Sequence, residues 1–326
     1  MNITIFSSRS SIFSNYYLGS FSKLGLNTQA LSYDELFPIL PAATQRYASY
    51  KLLPSSLLDV WSRRLLEKII DGNPDLVIIN KGIFLAPHLI RDLKSRCHVV
   101  CVNEDSPLDR SISNSDPYYG TKIEDFHIYY VCCPSLACHL RSAGHDNVKY
   151  LPLPSSTTEY YPKSRDRQYF ASFVGTYDSE RRYFLASTNQ PIHVFGPGWN
   201  SSSTKDSSLV PLDPLQRPVP TANEVFNGSQ VTINLLRNQN RFSINKRFVE
   251  AISSGVPLLT PYNRYSQELV SKYALNGVIL FKGYDHLRDL LYRPLTFFGS
   301  RQQASRDFLD YFSFDANVKR ILADKD

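Results

Sequence analysis

Asn245-Lys246-Arg247-Phe248-Val249-Glu250-Ala251-Ile252-Ser253-Ser254-Gly255-Val256-Pro257-Leu258-Leu259-Thr260 reads as a helix, a glycine stop and a buried strand. Phe248, Val249, Ala251 and Ile252 supply the apolar positions that dock such a helix on a sheet. Gly255 suits the left-handed residue after a last helical turn, and the short apolar run that follows suits a strand covered on both faces. Arg247 and Glu250, three apart, share one helical face. Two readings of that pair stay open: a solvated surface ion pair worth a few tenths of a kcal/mol (~0.3), or a cation and a carboxylate delivered to a nucleotide.

Working outward, strand and helix alternate through the whole chain, the pattern of a doubly wound parallel sheet. Upstream, residues 3–6 form a first strand that hands over to Ser7-Ser8-Arg9-Ser10-Ser11. A helix is expected over 12–24 with a stop at Gly25, a strand over 28–33, and a helix from Ser55 with Leu57, Leu58, Trp61, Leu65, Leu66, Ile69 and Ile70 at three-and-four spacing. Asp75-Leu76-Val77-Ile78-Ile79-Asn80 is apolar on consecutive positions, as a central parallel strand should be. Strands at 98–102, 128–132 and 148–151 complete a first half.

Pro152, Pro154, Ser155-Ser156-Thr157-Thr158 and Pro162-Lys163-Ser164-Arg165 are polar and proline-punctuated, and they read as a linker. The alternation then restarts at Tyr169-Phe170-Ala171-Ser172-Phe173-Val174-Gly175, so the expected domains are residues 1–160 and 161–326. Strands at 192–195, 230–235 and 278–281 follow, a mobile serine-rich loop is expected over 201–208, and helical sequence broken at Pro294 and Gly299 closes the chain.

Composition agrees with two ordinary domains. The 326 residues are 42% hydrophobic and 20% charged, with a formal net charge of +6, too mild an excess for a dedicated nucleic-acid binder. No stretch reaches the ~18 apolar residues of a membrane span. Five cysteines without a secretory leader point to a reduced, cytoplasmic protein.

Two Rossmann-like sheets facing a cleft would bind ligands at the carboxyl ends of their strands. In the second half three features fall on such ends: Val174-Gly175-Thr176, Gly196-Pro197-Gly198-Trp199, and Leu236-Arg237 leading to the helix that starts at Asn245. A helix N-terminus offers free N–H groups and about half a positive charge, and Arg237, Arg241, Lys246 and Arg247 add cations there. A diphosphate would suit that point, with Glu250 one turn deeper to accept bonds from ribose hydroxyls.

These residues also carry a resemblance. Phe173-Val174-Gly175, Phe195-Gly196-Pro197-Gly198-Trp199, Val231-Thr232-Ile233-Asn234-Leu235 and the run 243–251 resemble, in order and spacing, the C-terminal domain of GT-B glycosyltransferases of the CgeB-like group. The tail, with Arg306-Asp307-Phe308-Leu309, is similar as well, and Asn103-Glu104-Asp105-Ser106-Pro107 is similar to that group's acidic-acidic-proline turn. The resemblance implies an α/β fold of two doubly wound Rossmann-like domains facing a cleft. It implies a nucleotide-sugar donor such as a UDP-sugar, metal-independent transfer without a cofactor, and an acceptor hydroxyl on a saccharide, lipid or protein. Donor-binding residues would be Gly175, Thr176, Gly198, Trp199, Arg237, Asn245, Lys246, Arg247 and Glu250. Asp105, with Glu104 behind it, would be the base that takes the acceptor proton; the bland alternative is that Asp105 is a turn and cap residue.

The remaining candidates are weaker. The cysteines and histidines 97–101 and 132–139 lack Cys-x-x-Cys spacing and read as buried thiols. Asp324-Lys325-Asp326 is an Asp-x-Asp element only at the terminus, where disorder is expected. Two other classes stay open beside the transferase: a nucleotide- or sugar-binding protein of the same fold without turnover, and a transferase acting on bases in DNA, which ranks below the other acceptors.

Overall fold

The computed structural model describes residues 1–7, 12–32, 55–82, 85–108, 122–164, 166–200, 208–211, 220–293, 295–298 and 303–325. The expected turn 8–11, the serine stretch 201–207, the breaks at Pro294 and Gly299 and the last residue, Asp326, lie outside them, as do the side chains of Leu57, Leu58 and Trp61. Two compact units divide the chain: Met1–Pro152 together with Phe314–Asp326, and Leu153–Ser313.

The first unit carries β1 (Asn2–Ser7), α1 (Ile12–Lys23), β2 (Asn27–Ser32), α2 (Ser55–Asp71), β3 (Leu76–Asn80), α3 (Pro87–Lys94), β4 (His98–Asn103), β5 (Ile128–Val131), α4 (Pro134–Ser142) and β6 (Val148–Tyr150). Its strands run parallel in the order β2-β1-β3-β4-β5-β6. The chain steps from β1 outward to β2, then returns past β1 to β3, so the strand order reverses between β1 and β3. Successive β3 residues alternate between two apolar clusters, Val77 and Ile79 in one and Leu76 and Ile78 in the other, as a strand covered on both faces requires.

The second unit carries β7 (Tyr169–Val174), α5 (Ser179–Ala186), β8 (Ile192–Phe195), β9 (Leu209–Pro211), α6 (Ala222–Gly228), β10 (Ser229–Ile233), α7 (Lys246–Ser253), β11 (Leu258–Pro261), α8 (Arg264–Lys272), β12 (Val278–Phe281), α9 (Gly283–Leu291) and α10 (Arg306–Tyr311). The order is β12-β11-β10-β7-β8-β9, again all parallel, with the reversal between β7 and β10. β9, a three-residue edge strand, had no sequence expectation because Leu209 is its one buried residue. Among the described residues no helix is long and apolar enough to cross a membrane.

The last helix, α11 (Phe314–Ala323), departs from the expected division at 160/161. Phe314, Val318 and Ile321 enter the first unit's cluster beside Phe13 and Tyr17, and the buried Asn317 amide donates to Tyr17 Oη at 3.2 Å and to the Pro152 carbonyl at 2.8 Å. Asp324, expected to be disordered, accepts hydrogen bonds from Tyr130 Oη at 2.8 Å and Lys149 Nζ at 2.7 Å. Residues 153–164 of the expected linker belong to the second unit, held there through Ser155 N–H to Phe312 O (2.7 Å) and Lys163 N–H to Asn227 Oδ1 (2.6 Å). Of the five thiols, Cys101 and Cys132 are buried as expected, but Cys138 is exposed on α4.

At the amino edge of the first sheet the His98 and His127 rings stack with centroids 4.5 Å apart. Burial first, then His127 and the facing cations Lys325, Lys149 and Lys94, lower the His98 pKa from 6.5 to about 4. Burial and Lys94 lower that of His127, while a backbone hydrogen bond to Val99 opposes them. Both rings are therefore neutral in the fold, whereas the unfolded chain protonates them near 6.5. The unfolded state binds protons first, so this contribution is complete above pH 6.5 and is lost as pH falls toward 4. Thermal melting should show a fall in midpoint across that window that is shallower in His98→Phe, which keeps the ring and cannot protonate; parallel curves would refute the assignment.

Candidate functional site

The polar groups of the second unit gather at the carboxyl ends of β7 and β10, the two strands between which the order reverses. Thr176, Arg237 and the start of α7 all stand there. Asn245 is the N-cap of α7: its side chain accepts from Phe248 N–H at 3.1 Å, and its amide donates to Asn234 Oδ1 (2.8 Å) and Leu235 O (3.2 Å). Asn234, itself buried, donates onward to Thr260 Oγ1 at 3.1 Å. One asparagine thus fixes where the helix begins relative to β10 and β11. Asn245 is occupied in positioning, and the helix start it defines is what remains available to an anion.

Three guanidiniums converge on this point. Arg181, on α5, donates to Thr176 O (3.2 Å) and Leu235 O (3.4 Å) and lies over the Phe173 ring. Burial and the neighbouring Arg237 lower its pKa, Asp178 opposes them, and Arg247 lowers it further. Like charges so placed destabilise one another until an anion joins them. Sequence reasoning named Arg237 and Arg247 and missed Arg181. The signal was present, since Asp178 caps α5 by accepting from Glu180 and Arg181 N–H groups, which sets Arg181 in the first turn of the helix that follows β7.

Glu250 is 1% exposed, and its carboxylate takes the Arg247 guanidinium. Tyr160 lies near both of them, and burial followed by the Glu250 charge raises the Tyr160 pKa. Burial opposes the charge of Arg247, but Glu250 and Tyr160 outweigh it and raise its pKa. The pair is therefore not a solvated surface ion pair. The expected ribose contact fares differently: in this structure the Glu250 carboxylate is turned to Arg247 instead of to solvent, while Arg247 keeps 38% of its side chain exposed.

The two glycine turns are laced together. Gly175 N–H donates to Phe195 O (2.8 Å), Tyr177 N–H to Pro197 O (2.8 Å), and Trp199 Nε1 to Gly175 O (2.8 Å). Trp199 is 8% exposed and meets Phe173 and Tyr177 edge to face, so its indole holds the turn rather than offering a stacking surface. Gly196 and Gly198 both have positive φ, 131° and 86°. Lys246 is half-buried in the first turn of α7, and Arg241 lies over the exposed ring of Phe242. His193 packs tilted against Tyr169, and burial lowers its pKa, a packing role.

In the first unit, Asp105 follows the end of β4 and pairs with Lys81, which follows the end of β3. Buried Asn103 braces the turn, its amide donating to Tyr129 Oη at 2.7 Å and its Oδ1 accepting from Asp105 N–H at 3.1 Å. Lys81 was not anticipated. It has φ 62°, a left-handed conformation costing a lysine about 1–2 kcal/mol, held by Lys81 N–H to Val102 O at 3.0 Å. Glu104 is half-buried beside it, and its charge, like that of Asp105, pushes up the buried Cys132 thiol after desolvation. Among the described residues, no group of three or more His, Cys, Asp or Glu side chains is arranged to hold a metal ion.

A family described as "Glycosyl transferase-like" matches residues 179–322, a span that contains Arg181, Arg237, Arg247 and Glu250 but not Asp105. No curated protein matches the chain significantly. Among solved structures, sucrose-phosphate synthase from Thermosynechococcus elongatus aligns at TM-score 0.68 and 9% identity, covering 99% of this chain and 98% of that one. An α,α-trehalose-phosphate synthase (UDP-forming) from Burkholderia vietnamiensis aligns at 0.63 and 11%, covering 99% of each. A UDP-GlcNAc 2-epimerase from Neisseria meningitidis, solved bound to UDP-GlcNAc, aligns at 0.58 and 11%, again over 99% of each. At such identities the likeness is one of fold, the two-domain Rossmann-like α/β arrangement of GT-B proteins.

Gly196 gives the sharpest test of this architecture. A Cβ there would lie 2.3 Å from the Gly175 carbonyl oxygen, a backbone atom that cannot step aside. Gly196→Ala should cost roughly 1–3 kcal/mol from backbone strain, read as a lower denaturant midpoint. Wild-type stability in that variant would contradict the lacing of the two turns.

Proposed function

We propose that the chain is a nucleotide-sugar-dependent glycosyltransferase of the CgeB-like group that moves a sugar from a nucleoside diphosphate to an acceptor hydroxyl without a metal. The observation that carries the reading is the convergence of Arg181, Arg237 and Arg247 on the start of α7 at the strand-order reversal of the second sheet. Parallel sheets bind ligands at such reversals, and a cation cluster at a helix start is suited to a diphosphate. The match of residues 179–322 to a glycosyltransferase-like family supports it. A uridine nucleotide is the first donor to try, since the Neisseria neighbour was solved with UDP-GlcNAc.

In the transfer, the Asp105 carboxylate takes the proton of the acceptor hydroxyl while that oxygen forms its bond to the anomeric carbon. The bond from the anomeric carbon to the diphosphate oxygen breaks, and the electron pair leaves with the nucleoside diphosphate. The arginines and the α7 N–H groups meet the charge that develops there. Glu250 serves by holding Arg247, and Lys81 by holding Asp105 at the strand ends.

A thermal-shift panel of uridine, guanosine, thymidine and cytidine diphosphates tests the donor half. A ligand at a hundred-fold excess over its Kd adds about 2.7 kcal/mol of stability, and Arg181→Gln should remove most of that shift. A panel in which none of the four shifts the wild type would end the donor reading. Asp105→Asn should keep the wild-type shift and lower release of free sugar from the matching nucleotide sugar by about 10²- to 10⁴-fold. Undiminished release in that variant would take the base role from Asp105, and tight binding without any wild-type release would favour a non-catalytic binder.

A further inference from the structure

Two consecutive residues after β3 take the left-handed conformation, Lys81 with φ 62° and Gly82 with φ 70°. Glycine is required at 82 for two reasons. The conformation favours it, and a Cβ there would meet the Phe126 ring at 3.3 Å and both Cys101 Sγ and Lys122 Cε at 3.7 Å. Neither reason calls for lysine at 81, where the same backbone disfavours a side chain. Hydrogen bonds hold the turn in place: Lys81 N–H donates to Val102 O at 3.0 Å, Gly82 N–H to Asn80 O at 2.8 Å, and the buried Lys122 Nζ to Leu85 O at 2.8 Å further along. The Lys81 side chain leads to Asp105 and ends on its carboxylate. Both side chains keep contact with solvent, and ion pairs that solvent reaches add less to stability than a left-handed lysine costs.

Resting on the glycosyltransferase reading with Asp105 as base, we propose that Lys81 is a positioning residue for the transfer, kept at the expense of stability because its ammonium aims the Asp105 carboxylate. Three adjacent strand ends cooperate in this. Lys81 follows β3 directly, Asp105 stands two residues beyond β4, and Asn103 at the end of β4 accepts from Asp105 N–H at 3.1 Å while donating to Tyr129 Oη, on β5, at 2.7 Å. Asn103 thereby fixes the backbone of Asp105, and the Lys81 ammonium, joined to Oδ2, fixes the carboxylate. A base takes a proton within a narrow range of distance and direction, so a carboxylate held in one orientation reacts faster than one that turns. Backbone strain of this kind collects where a side chain must be presented for chemistry. Position 81 is therefore one at which a more stable protein is a less active one.

Lys81→Gly removes the ammonium and suits the backbone. In the full chain its denaturant midpoint should equal or exceed that of wild type, and the thermal shift given by whichever of the four diphosphates shifts the wild type should be unchanged. Release of free sugar from the matching nucleotide sugar should lose about 10- to 100-fold in kcat, with KM unaltered. Adding Lys81→Gly to Asp105→Asn should lower kcat no further, because the lysine acts through the carboxylate. Lys81→Met keeps a long side chain in the left-handed conformation without its charge, so it should lose kcat equally and unfold at lower denaturant than Lys81→Gly. Wild-type kcat in either single variant would overturn the proposal, as would an undiminished further loss in the double variant. A lowered midpoint or a failure to fold in Lys81→Gly would make the lysine structural and overturn it as well. If wild type releases no sugar, or Asp105→Asn releases it undiminished, the reading of Asp105 as base fails and the proposal falls with it, an outcome distinct from a Lys81 variant that matches a competent wild type.

Discussion

A carboxylate buried at 1% exposure among Phe248, Val249 and Ile252 cannot stand alone. Removing an ion from water costs several kcal/mol (~3–5 when its partner is missing), so the position of Glu250 obliges Arg247 to come to it. Everything around the second unit's strand-order reversal follows from that obligation. Because Arg247 is held from below, part of its guanidinium is left at the surface, within range of Arg181 and Arg237. The helix that carries the pair is in turn fixed at its start by Asn245, bonded to the end of β10, and at its end by Ser254, bonded to Asn223.

Parallel sheets explain why the rest of the unit can bear a concentration of positive charge at one edge. Strands buried on both faces leave their ends as the places where polar side chains and backbone groups meet solvent. The loops that follow β7 and β8 must then pass within backbone contact of each other, which is why Gly196 faces the Gly175 carbonyl and why Trp199 spends its one donor on that same oxygen. The chain gives up side chains at these turns and gains a rigid rim on which Arg181 is mounted.

The sheets and most helices were legible because consecutive apolar residues between glycine or proline stops admit few other structures. Val278–Phe281 was placed to the residue. What sequence could not supply was partnership across the chain. Tyr160 lies in a stretch whose prolines and serines read as a linker, and nothing local says that its ring packs against the apolar cluster that holds Phe248 and Val249. Arg181 was overlooked because a basic residue in a charged helix looks like solvated surface until the cap at Asp178 fixes its direction. For α11 the sequence shows an amphipathic helix, but the face it covers belongs to α1 and the sheet beside it, more than 290 residues upstream. The same blindness applied to Trp199, an aromatic at a strand end that could as well have offered a face to a ligand as an N–H to a carbonyl.

The two candidate sites solve the placement of a charged group in opposite ways. In the second unit the cation is directed by burial: Glu250 is driven inside by the apolar residues on its helix, and the cost of its desolvation is offset by orienting Arg247. In the first unit the pair is directed by the backbone. Lys81 is bent into a left-handed conformation immediately after β3, and Asn103 fixes the turn after β4, so that ammonium and carboxylate meet between adjacent strand ends while both keep some exposure, 27% and 19%. A guanidinium held from a buried base suits a ligand charge that stays put through binding. A carboxylate that keeps some exposure beside a lysine in a left-handed conformation leaves room for a polar group to approach from solvent.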